Sequence, residues 1–417
     1  MFAFIARQPI LDKEKDVYAY ELMFRDGQEG SYPEHDEKKS AYIAQHFHAL
    51  GLDDISGDKK SFISFTPEKL ITGLPSDLDP DRIVIELNRD PSGDAGLMDA
   101  CKHIKNLGFQ LALDDPQFLN RQAALVPLVD IVKVDLHAIR LEVLESQLPR
   151  LADASVDLIA EHINTYDDFA NSQSLGFQFF QGYFFSQPEA RLQRDLPANK
   201  LTLIDLMGES SNELFNFERI NEIIERDAAL SYLLLRFINN PLINKRYKIS
   251  SLRHALNYMG EVEIKKFIAL LSLATLSDEK PLELTHMSLV RAKFFDLLSQ
   301  RRAFRSNPPV GFLIGLFSLL DALLDQDIAD ILHQLPLSDE VNQGLLGQSA
   351  EFNPYFIAVR AFESGLWLNV IKVAKQLEID QKELHGLYNQ AIVWGNGVRQ
   401  TLSSNFPKKL VRPEKSA

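Results

Sequence analysis

The stretch LALDDPQFLN, residues 111–120, ends an apolar run in two adjacent carboxylates, Asp114 and Asp115. With Phe109 and Gln110 before it, the run has the composition of a short buried strand. Two like charges side by side at a strand end repel each other. A divalent cation would relieve that repulsion, and so would plain solvation in a loop; the stretch by itself leaves both readings open.

Moving outward, further β-rich runs lie on both sides of it: FAFIA (2–6), VYAYELMF (17–24), SFISF (61–65), RIVIEL (82–87), IVKVD (131–135), DLIAE (157–161) and FQFFQGYFF (177–185). With FQLALD (109–114) they make eight, and helix-like segments separate most of them. This alternation predicts a parallel sheet closed into a (β/α) barrel. The link between the first two, LDKEKD and its flanks, is too short for a helical crossover, so these two strands are expected to pair antiparallel.

Other strand ends carry polar groups of the same kind. Glu21 lies in VYAYELMFR, Glu86 closes RIVIE, Lys133 lies in IVKVD, Glu161 ends DLIAE and Gln181 lies in FFQGYFF. In a parallel barrel the C-terminal strand ends meet at one mouth, where catalysis is done. Carboxylates gathered there would need divalent cations, and an all-oxygen donor set suits Mg²⁺ or Mn²⁺. A lysine beside such a metal can hold water or a phosphate oxygen, and a further carboxylate can take a proton. A single acid at a strand end is more often a helix cap or a solvated charge. Only the recurrence points to a site.

The bulk numbers bound the rest. A chain of 417 residues is too long for one ordinary core. Its 45% hydrophobic and 24% charged content is that of a folded globular protein. A formal net charge of −14 argues against broad nucleic-acid binding. The single cysteine, Cys101, excludes a disulfide framework. No long uncharged apolar run is present and MFAFIARQPI lacks the marks of a secretory signal, so the expected location is cytoplasmic, with no membrane contact.

After LPANK (196–200) the rhythm becomes helical throughout. NFERINEIIERDAALSYLLLRFINN puts Ile220, Ile223, Ile224, Leu230, Leu234 and Phe237 on one helical face, and Pro241 ends the run. Ser250 or Ser251 is placed to cap a helix reaching Met259, with Gly260 to close it. The expected division is a barrel domain over 1–195, an all-α domain over 196–405 and a tail over 406–417 with little to bury.

These motifs, in this order, resemble the EAL family of cyclic di-GMP phosphodiesterases. QPILD (8–12) and YELMFR (20–25) are similar to its opening, with Glu-Leu-Met where Glu-Ala-Leu would lie. ISFTPEKL (63–70), IELN (85–88), the Asp114–Asp115 pair, VDIVKVD (129–135), AEHIN (160–164) and QGYFFSQP (181–188) complete the series. The resemblance implies an α/β fold, a modified TIM-type barrel with an antiparallel first strand. It implies metal ligation by Glu21, Glu86, Asp114 and Asp115, a water-orienting Lys133, a general base at Glu161, a supporting Gln181, and contacts from Gln8 and Arg25 to the dinucleotide.

The sequence departs from the family pattern at several points. Ser64 stands where the family has a metal-ligating asparagine, and its hydroxyl is a shorter, weaker ligand. Pro116 fixes the backbone after the aspartate pair, Arg89 replaces an acid, His162 replaces a glycine and Asn164 a glutamate. These changes predict reduced or absent hydrolysis.

The second half resembles the HDOD domain, an all-α relative of HD-type metallohydrolases. The resemblance is carried by ALSYLLLRFINNPLINKRYKISSLRHALNYMGEVEIKKFIAL (229–270). Ser318 and Leu319 stand where HD hydrolases keep their His-Asp pair, and His286 lies on a neighbouring stretch, so no metal site is implied there. EAL followed by HDOD is a bacterial signalling arrangement. It implies a sensor or adaptor in which the helical half contacts protein partners. An active Mg²⁺- or Mn²⁺-dependent phosphodiesterase and a pure protein scaffold are the alternatives, and the resemblance allows a homodimer.

Overall fold

The structure is a computed structural model that describes residues 3–26, 55–65, 67–73, 78–87, 95–114, 125–189, 207, 215–225, 228–241, 248–276, 280–302, 307 and 309–403. The strands are β1 (Ala3–Leu11), β2 (Val17–Asp26), β3 (Lys60–Phe65), β4 (Ile83–Leu87), β5 (Gln110–Asp114), β6 (Ile131–Asp135), β7 (Asp157–Glu161) and β8 (Phe179–Gln181). They close into a barrel in sequence order. β1 runs antiparallel to both of its neighbours, β2 and β8, and the other pairs are parallel.

Helices follow β3, β4, β6 and β7, among them Ala95–Asn106, Leu141–Asp153 and Tyr166–Ser174. The last of these starts with a capping box: Thr165 accepts from the Asp168 amide while the Asp168 side chain accepts from that of Thr165.

Two strands differ in extent from their sequence signals. β1 continues through Gln8 and Pro9, residues that break the β-rich run, because its pairing with β2 carries it to Leu11. β8 stops after Gln181, where Gly182 turns the chain with φ +152°. A Cβ at Gly182 would lie 2.0 Å from the Ile163 carbonyl oxygen, so only glycine fits this close approach. Phe184 and Phe185, in the expected strand, form a short 3₁₀ turn and are buried.

The barrel interior is filled in layers. Ile10, Ala19, Phe62, Val84, Ala112, Ile131 and Ile159 form one apolar cluster, with Phe179 packed against it. All eight strands therefore supply an apolar side chain to this level. Since side chains alternate along a strand, the residue two positions on again points inward. On β1, which runs the opposite way, the equivalent step is two positions back.

The chain packs as two compact units, neither contiguous in sequence. The first is Met1–Arg191 with Pro281–Glu283 and Phe356–Gly386. Within it Tyr20 donates to Glu283 at 2.7 Å, the Ile5 amide donates to His385 Nε2 at 2.7 Å, and the Tyr183 hydroxyl donates to the Glu363 carbonyl.

The second unit is Leu192–Lys280, Leu284–Tyr355 and Leu387–Ala417, and its described residues form helices without strands. In Phe217–Glu225 and Ala228–Ile238 the buried residues include Ile220, Ile223, Ile224, Leu234 and Phe237. Ser251 accepts from the His254 amide at 3.3 Å, and Gly260, at φ 73° and ψ 170°, interrupts the helical run Leu252–Leu276. The Ser318 hydroxyl closes the wholly buried helix Val310–Phe317 on the Gly315 carbonyl and accepts from Arg291 at 3.2 Å. His286 is buried on Leu282–Arg301. No described helix is long and apolar enough to cross a membrane.

Candidate functional site

One step from the apolar layer toward the C-terminal strand ends stand Glu21, Ser64, Glu86, Asp114, Lys133, Glu161 and Gln181, with Gln8 on the reversed β1. Each of the eight strands thus contributes one polar side chain to a single level. A run of apolar residues two apart, followed by one polar residue at the same parity, is enough to produce this ring once the barrel closes.

Lys133 is its centre. The side chain is fully buried, and Nζ lies 2.9 Å from Glu21 Oε2, 3.1 Å from Glu86 Oε2 and 2.9 Å from Glu161 Oε1. An ammonium has three N–H groups, so these three carboxylates use all of them. Ser64 donates to the other oxygen of Glu86 at 2.7 Å. Gln181 donates to Gln8 at 3.0 Å and also to Glu21. Asp114 sits beside Lys133 in the β5–β6 ladder and acts on Glu86, Lys133 and Glu161 through its charge.

Four carboxylates face one ammonium. Burial pushes the Glu86 carboxyl up to about 8, against the pull of Lys133, with Glu21 and Asp114 adding to the rise. Burial likewise pushes Glu161 up to about 7, again against Lys133 and with Asp114 and Glu21 adding. Burial works against the Lys133 ammonium, but Glu161, Glu21, Glu86 and Asp114 outweigh it and hold its pKa well above the lysine range. The pocket is thus short of positive charge.

The donors facing it are hard oxygens, the set that suits Mg²⁺ or Mn²⁺. Among the described residues no three His, Cys, Asp or Glu side chains form a ready metal cage. The three glutamates are instead drawn onto Lys133, and ligation would require Glu21 and Glu86 to turn an oxygen from the ammonium. The chemistry of the donor set fits a hard divalent cation.

Of the residues singled out from sequence, the ring gathers Gln8, Glu21, Ser64, Glu86, Asp114, Lys133, Glu161 and Gln181. Asp115 lies outside the described residues, as do Pro116 and Arg89. Arg25 is on β2, with its side chain outside the described residues.

Sequence reading passed over Asp135 and His137. Asp135 follows Lys133 by two positions, so strand parity places it on the same inward face, one step nearer the mouth. His162 Nδ1 lies 3.2 Å from Asp135 Oδ2, and the His162 carbonyl lies 3.1 Å from His137 Nε2. The alternation in VKVD was the available signal for Asp135.

Residues 46–188 match the model of the EAL domain and residues 196–308 that of the HDOD domain. The chain is 34% identical to the uncharacterised protein YuxH of Bacillus subtilis, over 94% of this chain and 98% of that one. It is 33% identical to the cyclic di-GMP phosphodiesterase CdgJ of Vibrio cholerae, over 96% of this chain and 94% of that one. Among solved structures, the manganese and cyclic di-GMP complex of BlrP1 from Klebsiella pneumoniae is 22% identical, covering 44% of this chain and 55% of that one, with a TM-score of 0.37.

Proposed function

The chain belongs to the family of two-domain proteins in which an EAL domain precedes an HDOD domain, and from that membership we propose that it is a cyclic di-GMP signalling protein whose barrel binds the dinucleotide but hydrolyses it weakly. The observation that carries this reading is the ring itself: Glu21, Glu86 and Glu161 meet on Lys133, and Gln181 and Gln8 stand beside Glu21.

Glu21, Glu86 and Asp114 are the described residues that would hold a divalent cation, with Ser64 as a weaker fourth donor and Asp115 beside them in sequence. Such a cation, when bound, would neutralise phosphate charge and acidify water. Lys133 keeps the carboxylates from repelling one another and can turn toward a water that displaces one of them. Glu161, its carboxyl raised to about 7, is poised to take a proton near neutral pH. Gln181 and Gln8 steady Glu21 from the side of β8 and β1.

Ser64 is the reason for weak turnover. Its hydroxyl is bound to Glu86 and reaches less far into the mouth than a side-chain amide would. The helical region serves in this reading as a non-catalytic module for protein partners, since Ser318 has a structural task in closing a helix.

A second reading, full phosphodiesterase activity under control of the helical region, is favoured by the name of the relative CdgJ and by the Lys133–Glu161 contact. Titration of the purified chain with cyclic di-GMP in Mg²⁺ or Mn²⁺, followed by chromatography of the product, separates the two. Saturable binding with slow appearance of linear dinucleotide supports the proposal. Turnover that is fast and unaffected by Ser64→Asn supports the second reading, and the lack of any binding sinks both.

A further inference from the structure

Lys133 spends all three of its N–H groups on carboxylates, so an anionic ligand entering this acidic mouth meets no donor from it. The rim holds another. His162, directly after Glu161, is 54% exposed at its side chain and has φ +57°, in the left-handed region that residues with a Cβ seldom adopt.

That conformation is fixed from several directions. The next residue, Ile163, donates its amide to the Gln181 carbonyl at 3.0 Å and accepts from the Phe184 amide at 3.1 Å. The His162 carbonyl is held by His137 Nε2 at 3.1 Å. On the ring side, Asp135 is equally well placed: its Oδ1 accepts from the amides of His137 at 2.9 Å and Ala138 at 3.3 Å. That leaves its Oδ2 to meet His162 Nδ1 at 3.2 Å.

The result is an imidazole whose orientation is set by a fixed carboxylate, with no described partner on Nε2. A carboxylate on Nδ1 takes the N–H of that nitrogen and sets the plane of the ring, so Nε2 is a donor when both ring nitrogens carry a proton. We propose that the Asp135–His162 pair is a phosphate-binding element of the rim, in which His162, as an imidazolium with its Nδ1–H on Asp135, donates from Nε2 to a phosphodiester oxygen of the bound dinucleotide. The proposal rests on the cyclic di-GMP reading of the barrel and adds to it a specificity-determining side chain outside the ring.

The test is calorimetric titration with cyclic di-GMP in Ca²⁺, comparing the unmodified chain with His162→Gly, Asp135→Asn and the double variant. Glycine accepts the positive φ, so folding is retained, and a melting curve checks this. His162→Asn, which also tolerates that conformation, repeats the test with an uncharged side chain.

Loss of a charge-assisted hydrogen bond predicts binding weaker by about tenfold in His162→Gly and in His162→Asn. Asp135→Asn should weaken binding in the unmodified background and add nothing in the glycine background, which a purely structural role for Asp135 would not produce. Binding by His162→Gly equal to that of the unmodified chain overturns the pair while leaving the barrel's function intact. Failure of the unmodified chain to bind overturns the functional reading and the pair together.

Discussion

The hydroxyl of Ser64, on β3, lies 2.7 Å from Oε1 of Glu86 on the neighbouring β4, in register with it in the ladder. One oxygen of Glu86 is thereby tied to a hydroxyl and the other to Lys133. Ser64→Asn puts a longer oxygen donor at this point of the mouth. The expected outcome is a rise in Mn²⁺-dependent hydrolysis of cyclic di-GMP of about tenfold or more, the scale on which residues around a metal act. Steady-state rates for the two chains check it, and an unchanged or lower rate counts against the role given to Ser64.

Lys133 is the only cation among the described ring residues, and removing it leaves three glutamates facing one another. Lys133→Met should cost about 3–5 kcal/mol, as expected when one partner of a buried ion pair is deleted. The shift in urea midpoint at about pH 9, above the raised values of Glu86 and Glu161, measures this. Adding Glu161→Gln should recover part of the loss, because one of the uncompensated carboxylates goes with it. A midpoint equal to that of the unmodified chain would show that the glutamates do not depend on this ammonium.

His385 is fully buried and accepts a hydrogen bond from the Ile5 amide, and burial pulls its pKa down to about 4 from an unfolded value near 6.5. The unfolded chain therefore binds a proton between these values that the folded chain refuses. This contribution is complete above about pH 6.5 and is lost as pH falls toward about 4, by roughly 3 kcal/mol. Denaturant titrations over that range should show the slope in the unmodified chain and a shallower one in His385→Gln. Identical slopes would contradict it.

Gly182→Ala places a Cβ 2.0 Å from the Ile163 carbonyl oxygen and 2.5 Å from its nitrogen, both backbone atoms that cannot swing aside. The ladder end of β8 must shift, at a cost of about 2–4 kcal/mol. Because Gln181 is the preceding residue, the affinity for the dinucleotide should fall along with the melting temperature. A variant that melts and binds normally would mean that the turn after β8 does not set the position of Gln181.

Much of the barrel was legible because its signals are local and repeated. Short β-rich runs such as DLIAE and IVKVD became β7 and β6 with the expected limits, and the short link before β2 gave the antiparallel pair. The ring was legible as a list of residues but not as a level. The arrangement of Glu21, Glu86, Lys133 and Glu161 depends on the stagger of a closed barrel, which no single strand encodes. Less legible still were pairings over long separations: Ile5 with His385, or Tyr20 with Glu283, join residues whose sequence neighbourhoods carry no sign of each other. His162 was visible as a departure from the family pattern, but its left-handed backbone and its contact with Asp135 arise only when β6 and β7 lie side by side.

The account stands or falls on where the cation and the dinucleotide sit. A crystal grown with Mn²⁺ and cyclic di-GMP, with anomalous scattering recorded at the manganese edge, answers this directly. The predicted result is a manganese peak among Glu21, Glu86 and Asp114, with a phosphate of the dinucleotide on the same cation. Dinucleotide bound elsewhere, or saturating Mn²⁺ that leaves no peak beside these carboxylates, would contradict the account.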